Sequence, residues 1–260
     1  MTKEEYIMVD VHPDNMKEKN YNLRGIALSN FLGTVDLATN QRVIEKQEFI
    51  GQLKEILKLT KYKCKVIVQT FLDLNIIEED NKYYYINPVS SNFLKLVVPT
   101  AKYCINNLSD FCFKVYCYML NKYNIHMAYR HYENYFFSFK EVLSDLGYSN
   151  YATNMNMLQQ ALTTLEELGF IEYEHEAKGR PGKHGTYHEL YSVNQIAPVQ
   201  VKAAKNYINN GYEITEDIIE DVLLPDAEVA KAWLESGAYD MKSLPDSYRE
   251  AYSKKYRDLV

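Results

Sequence analysis

Apolar residues recur with helical spacing in the first third of the chain. Residues 22–32 (NLRGIALSNFL) follow the 3.6-residue period of an amphipathic helix, with apolar side chains at Leu23, Ile26, Ala27 and Phe31. A second helix is predicted for EFIGQLKEILKL, residues 48–59. The segment that follows, residues 60–88, predicts a third helix and then a hairpin of apolar and aromatic residues whose turn lies at residues 79–82.

The next part of the chain repeats this order of elements. SDFCFKVYCYMLNKYNI predicts a helix with Ser109 as its N-cap, and a short aromatic strand, YFFSF, comes after it. In SFKEVLSDLG, Ser138 and Glu141 form a predicted capping box, and Gly147 is a predicted C′ residue. Residues 148–177 then predict a turn, a long helix and a strand, and TYHELYSVN supplies the returning strand.

The two third helices share one spacing of residues. Three apolar positions are followed by an Asn or Gly and then by an apolar pair, at Cys64, Val68, Phe71, Asn75, Ile76 and Ile77 and again at Leu158, Leu162, Leu165, Gly169, Phe170 and Ile171. The three apolar residues line one helix face, and the Asn or Gly can end the helix in the left-handed conformation. The same helix-to-strand unit is therefore present twice, which indicates a duplicated module.

Three helices followed by a two-stranded hairpin form the winged-helix arrangement, and LEELGFIEYE resembles the end of many winged-helix domains. The resemblance covers about residues 20–90 and 105–195. It implies an α+β, mainly helical chain with two winged helix-turn-helix domains in tandem and a helical C-terminal tail. We predict a first domain with an N-terminal extension at 1–100, a second domain with a basic wing at 101–197, and an acidic helical tail at 198–260.

Tandem winged-helix domains resemble the replication initiators of plasmids and phages and, more loosely, primosomal proteins of low-GC bacteria. The resemblance implies sequence-specific binding of double-stranded DNA in replication initiation. Two alternatives stay open: a winged-helix transcriptional regulator, or a protein interaction module for primosome assembly, helicase loading or dimerisation with incidental DNA affinity. The expected partners are duplex DNA, a second copy of the chain, and a replication protein bound by the tail, whose short helices would break at Pro225 and Pro245.

The charge of the chain gives no simple argument for or against nucleic acid. The formal net charge is -6, and residues 200–260 carry 8 basic and 12 acidic side chains, whereas residues 1–99 carry 13 of each. Because binding depends on the local field at the contact face, a mildly acidic chain can still bind DNA.

Several classes of site lack their sequence signatures. The four cysteines, which form no CxxC pair, are expected to be buried reduced thiols, and the six histidines form no HExxH motif. No apolar run has the length of a membrane span, and the N-terminal sequence lacks the pattern of a signal peptide. We therefore expect a cytoplasmic, non-enzymatic protein without a metal ion or cofactor.

Residues 177–187, AKGRPGKHGTY, superficially suggest a phosphate-binding loop. A P-loop needs four residues between its glycines and a Ser or Thr after the lysine. Here Gly179 and Gly182 are separated by only two residues, and His184 follows the lysine. Pro181 also lacks one backbone donor. The strand-like flanks instead predict a hairpin turn that carries three positive charges.

Three groups of residues are candidates for DNA contact. The first lies at the start of the first module's third helix and consists of Lys58, Lys61, Tyr62, Lys63, Lys65 and Gln69. The second lies at the corresponding place in the second module and consists of Asn150, Tyr151, Thr153, Asn154, Asn156 and Gln159. The third lies on the wing and consists of Lys178, Arg180, Lys183 and His184. Lysines suit phosphates, and Asn or Gln suits adenine edges, although a solvated polar surface is the alternative for the two helix groups.

Overall fold

The computed structural model describes residues 6–36, 41–88, 92–129, 135–176, 178–179 and 185–195 of the 260-residue chain. The protein is α+β, with about half of the described residues in helices and the strands in small antiparallel sheets. The helices are α1 (Pro13–Lys17), α2 (Leu23–Leu32), α3 (Lys46–Glu55), α4 (Lys61–Asp73), α5 (Val98–Asn107), α6 (Asp110–Tyr129), α7 (Phe139–Asp145) and α8 (Ala152–Glu167). The strands are β1 (Tyr6–Asp10), β2 (Thr34–Val35), β3 (Arg42–Glu45), β4 (Ile77–Glu79), β5 (Tyr83–Ile86), β6 (Phe93–Val97), β7 (Tyr135–Phe137), β8 (Ile171–Tyr173), β9 (Lys178–Gly179) and β10 (Thr186–Val193). The predicted tail lies outside these residues.

The first half of the protein runs from α2 to β5. Its antiparallel sheet has the order β2-β3-β5-β4, so that β5 lies between β3 and β4. The predicted hairpin turn at residues 79–82 is confirmed, and Asp80 closes it by accepting hydrogen bonds from the backbone N–H groups of Lys82 and Tyr83 and from the hydroxyl of Tyr85. These bonds, the one from Tyr83 first, lower the pKa of the Asp80 carboxyl.

The second half runs from α6 to β10 and repeats the order of helices, with the single strand β7 where the first half has β2 and β3. Its sheet has the order β7-β10-β8, with the last strand in the middle as in the first half. The short β9 pairs with the start of β10, with Gly179 opposite Thr186 and Lys178 opposite Tyr187. The chain therefore reverses between β9 and β10, which confirms the hairpin predicted for residues 177–187.

Local sequence signals set most helix ends as predicted. The left-handed residues that end α4, α7 and α8 are Asn75, Gly147 and Gly169, with φ of 56°, 79° and 76°. The predicted capping box of Ser138 and Glu141 is present at α7. The predicted second helix is shorter than expected, because α3 ends at Glu55 and the chain turns towards α4 through Lys58, whose φ is 54°.

The interior of each half is apolar. Cys64, Val68 and Phe71 of α4 are buried, as are Leu158, Leu162 and Leu165 of α8. All four cysteines are buried free thiols, as predicted, and burial raises the pKa of each thiol. A buried free cysteine packs as a small apolar side chain, so these four thiols belong to the core.

An additional two-stranded sheet lies outside the predicted pattern. β1 pairs with β6 in antiparallel register, with Met8 opposite Lys95. One face of this sheet is buried through Ile7 and Val9, whereas Tyr6, Met8 and Phe93 are exposed on the other. The sheet brings the N-terminal part of the chain beside the segment that leads into α5.

Arg24 connects α2 of the first half to the helices that precede and begin the second half. Its side chain is 9% exposed. Its Nε donates to the backbone oxygen of Ile105, near the end of α5, at 3.1 Å, and its Nη1 donates to the carboxylate of Asp110 at the start of α6 at 3.0 Å. A guanidinium satisfies both partners at once because its donors form a fixed fork.

Lys114 of α6 connects the second half to the segment between α1 and α2. Its side chain is buried, and its Nζ lies 3.5 Å from the backbone oxygens of Glu18 and Leu146 and 5.7 Å from the ring centre of Tyr148. Burial lowers the pKa of Lys114 to about 8, against an opposing effect of the Glu18 charge. Beside it, α1 contacts α7, where a Cβ on Gly147 would lie 2.3 Å from the backbone oxygen of Lys17.

The lowered pKa of Lys114 predicts a specific dependence of stability on pH. The unfolded chain, with a pKa near 10.5, binds more protons than the folded protein above pH 8, so stability rises with pH in this window. We expect the titration of Lys114 to raise the free energy of unfolding by about 2 kcal/mol as the pH increases from about 7 to about 9.5. Lys114→Met keeps an unbranched side chain that extends to the ε position and lacks the ammonium group, so it should lack this rise in stability, as measured by urea unfolding at several pH values. The exposed Lys102→Met is the control, and a Lys114→Met profile parallel to that of the wild type would contradict the prediction.

Candidate nucleic-acid interface

The first candidate surface is the start of α4. Thr60 caps this helix by accepting a hydrogen bond from the backbone N–H of Lys63 at 3.3 Å. With the apolar side of α4 in the core, the side chains that remain at the surface form what we call the lysine cluster, which consists of Lys58, Lys61, Lys63 and Lys65. All four are exposed, and none forms an ion pair with another described residue.

The charges of the lysine cluster are unfavourable for the helix itself. Lys61 and Lys63 lie in the first turn of α4, at the positive end of the helix dipole. This turn contains no acidic residue that would offset their charge. Each such cation costs an isolated helix about 0.3–1 kcal/mol. The same arrangement favours an anion, since lysine side chains and the positive end of the dipole attract it together.

The other two candidates on α4 differ from each other. Tyr62 is 75% exposed at the second position of the helix. Gln69 is exposed but lies farther along, and its Nε2 donates to the Asp73 carboxylate at 2.8 Å. The structure thus places Tyr62 beside the lysine cluster and engages the amide of Gln69 in a bond within the helix.

The second candidate surface is the start of α8. Its N-cap residue, Tyr151, makes no capping hydrogen bond through its side chain, and the first turn contains no acidic residue. The candidates at the surface form what we call the amide face, which consists of Asn150, Thr153, Asn156 and Gln159. Asn154 is half-buried, and its amide donates to the backbone oxygen of Ser149 at 2.8 Å, so that it holds the loop before α8.

The exposed polar surface of α8 continues beyond the amide face. Gln160 and Thr163 are also exposed. They follow Asn156 at four and seven residues, so the helical period could have identified them. The start of α8 carries uncharged donors and acceptors, in contrast to the positive charge at the start of α4.

The third candidate group belongs to the predicted wing. Lys178 lies in β9 opposite Tyr187, whereas Arg180, Lys183 and His184 lie outside the described residues. The corresponding turn of the first half, at residues 80–82, is short and is closed by Asp80. The two turns therefore differ in length and in charge.

The described histidines have partners within the protein, and two of them lie beside the second hairpin. His175 contacts the Glu166 carboxylate, with Nε2 and Oε2 2.9 Å apart, and His188 Nδ1 lies 2.9 Å from the backbone oxygen of Glu174. Within the described ranges, no group of three or more His, Cys, Asp or Glu side chains could hold a metal ion. In the same part of the chain, no helix combines the length and the apolar character needed to cross a bilayer.

Comparisons with protein-family models, with curated proteins and with solved structures identified no match for this chain.

Proposed function

We propose that this chain is a sequence-specific double-stranded DNA-binding protein that consists of two winged-helix domains in tandem and acts in replication initiation on a plasmid or phage. The order of elements supports the winged-helix assignment. In both halves a first helix is followed by a strand segment, two helices and a hairpin, and the last strand pairs between an earlier strand and the first hairpin strand. The strand segment is β7 in the second half and the pair β2 and β3 in the first. In a winged helix, the third helix is the one that enters the major groove.

The observation that carries the proposal is the lysine cluster at the start of α4. Four exposed lysines without ion-pair partners among the described residues surround the positive end of a helix whose first turn lacks acidic residues. This arrangement is unfavourable for the free protein and favourable for binding phosphates, which release counterions when lysines neutralise them. It therefore supports contact with a polyanion.

The two surfaces would have different roles on DNA. The lysine cluster would contact phosphates and position the protein, whereas the amide face would contact base edges, because Asn and Gln bond adenine N6 and N7 in a bidentate manner. Lys178, Arg180 and Lys183 would contact the backbone or the minor groove from the wing. In this proposal the protein binds DNA and catalyses no reaction, and residues 198–260 bind a replication protein.

Selection of bound fragments from a pool of random duplexes tests the proposal. We expect enrichment of a defined sequence whose affinity exceeds that for unrelated duplex by about 10³-fold or more. Repeated copies of that sequence in one orientation would favour an initiator, whereas a palindrome would favour a dimeric transcriptional regulator. Failure to enrich any sequence, with only weak retention that disappears as salt is raised, would refute sequence-specific binding.

The exposed face of the β1–β6 sheet favours a second function, a protein interaction module. Tyr6, Met8 and Phe93 present apolar surface there, and the amide face on α8 contains no cation. Such a module would use its winged helices for dimerisation or for primosome assembly, and its DNA affinity would be incidental. The same selection separates the two functions, since an interaction module would enrich no sequence.

A further inference from the structure

Two tyrosines are the most exposed large apolar side chains among the described residues. Tyr62 is 75% exposed and Tyr151 is 72% exposed, whereas the next value is 49%, at Ile125. Each tyrosine lies at the start of a third helix, Tyr62 at the second position of α4 and Tyr151 at the N-cap of α8. They occupy different positions of the repeat, because α8 begins earlier relative to the shared apolar pattern.

Neither tyrosine side chain has a partner within the described part of the protein. Other tyrosines at the surface use their hydroxyls, as when Tyr85 donates to Asp80 and Tyr191 donates to Glu174. The side chains of Tyr62 and Tyr151 make no hydrogen bond, ring contact or cation–π contact with a described residue. Their rings therefore present apolar surface to the solvent at the ends of the helices that carry the candidate contacts.

The surroundings of the two rings restrict what they can contact. Lysines flank Tyr62 and would hold phosphates, while Asn150 and Thr153 flank Tyr151 and would reach base edges. A side chain at the start of a recognition helix lies in the major groove, where the exposed apolar group on the base edges is the 5-methyl group of thymine. An aromatic ring at this place matches a methyl group in chemistry and in position.

We infer that Tyr62 and Tyr151 are specificity-determining residues that pack their rings against thymine methyl groups in the major groove. The inference rests on the proposed function and goes beyond it, because it names the base that these helices select. Loss of one buried methyl contact lowers affinity about fourfold, as expected from the burial of one methylene-sized group.

The test compares two versions of the duplex recovered by selection. One version contains thymidine, and the other contains deoxyuridine at every position where the first has thymidine. The two versions have the same phosphates and the same hydrogen-bonding edges, and they differ in the methyl groups alone. We expect the wild type to bind the thymidine duplex about fourfold more tightly for each methyl group contacted. Tyr62→Ala and Tyr151→Ala should each lose one such factor, and the double variant should bind both duplexes equally.

Two controls separate the ring from the hydroxyl and from general effects. Tyr62→Phe and Tyr151→Phe keep the ring and should keep the preference for thymidine. Tyr191→Ala removes an exposed tyrosine from β10, in the sheet of the second half, and should also keep the preference for thymidine. Thermal unfolding of the Tyr62 and Tyr151 variants should match that of the wild type, because these two side chains are exposed and without partners among the described residues.

Three results would overturn the inference while leaving sequence-specific binding intact. The first is that the wild type binds the two duplexes with equal affinity. The second is that the double alanine variant keeps the full preference for thymidine. The third is that the phenylalanine variants lose the preference, which would assign the contact to the hydroxyl. A double alanine variant impaired only on single-stranded DNA would also overturn it, since the rings would then stack on unpaired bases. If no duplex is recovered at all, the proposed function itself fails.

Discussion

Simultaneous replacement of Lys61, Lys63 and Lys65 by glutamine is expected to weaken duplex binding on the order of 10²- to 10³-fold at roughly 0.1 M salt. Each lysine that neutralises a phosphate releases a counterion, so the slope of log affinity against log salt should become less steep by about 0.9 for each lost contact. Glutamine removes the charge but has nearly the helix propensity of lysine, so α4 should remain folded. Titration of a labelled duplex at several salt concentrations measures both quantities.

The matched control removes the same charge from other elements. Lys19, Lys95 and Lys102 are exposed and lie before α2, in β6 and in α5. Their replacement by glutamine should leave the salt slope nearly unchanged. Equal slopes for the two triple variants would show that the start of α4 does not contact phosphates.

Gly147→Ala is expected to lower the free energy of unfolding by about 3 kcal/mol, through backbone strain and a steric collision together. Gly147 has a φ of 79°, which a residue with a Cβ rarely adopts. The added Cβ would also lie 2.3 Å from the backbone oxygen of Lys17, so α1 and α7 would have to separate. Urea unfolding of the variant and the wild type measures the difference.

Gly51→Ala is the matched control for this substitution. Gly51 lies within α3, is exposed, and has nothing within 4 Å of the position of a Cβ. Alanine should therefore stabilise the protein by about 0.5–1 kcal/mol, because it restricts the unfolded chain and favours the helix. If the two variants had the same stability, the contact between α1 and α7 would not be the tight one described.

The sequence predicts the elements whose signals are local. The period of apolar residues identifies the three helices of each half, and Asn75 and Gly169 mark the ends of α4 and α8 because these residues adopt the left-handed conformation at little cost. The end of α3 was not predicted, since Lys58 takes a left-handed conformation for which lysine gives no signal.

Elements that depend on distant parts of the chain were not predicted. β1 and β6 pair across more than eighty residues, and neither has the alternating pattern or the turn that identifies a hairpin. The buried contacts of Arg24 with Ile105 and Asp110 are equally distant in sequence. A single polar residue in an amphipathic helix does not reveal such a partner.

The candidate site was predicted in part. Helical periodicity placed Lys61, Lys65 and Tyr62 at the surface, because the core side of α4 was evident from its apolar residues. The amides of Asn154 and Gln69 were assigned to DNA contact, yet they bond to Ser149 and Asp73 within the protein. Such bonds depend on side-chain rotamers and loop conformation, which the spacing of residues does not determine.

The buried contacts of Arg24 and Lys114 have a consequence for the geometry of any DNA site. Arg24 joins α2 directly to the start of α6, and Lys114 joins α6 to the segment before α2, so we expect α4 and α8 to keep one separation and one rotation relative to each other. On a duplex, the separation of two contacted segments also sets their helical phase, which repeats about every 10.5 base pairs. For a protein of the proposed function, the spacer between the two contacted segments is therefore as restricted in length as the segments are in sequence.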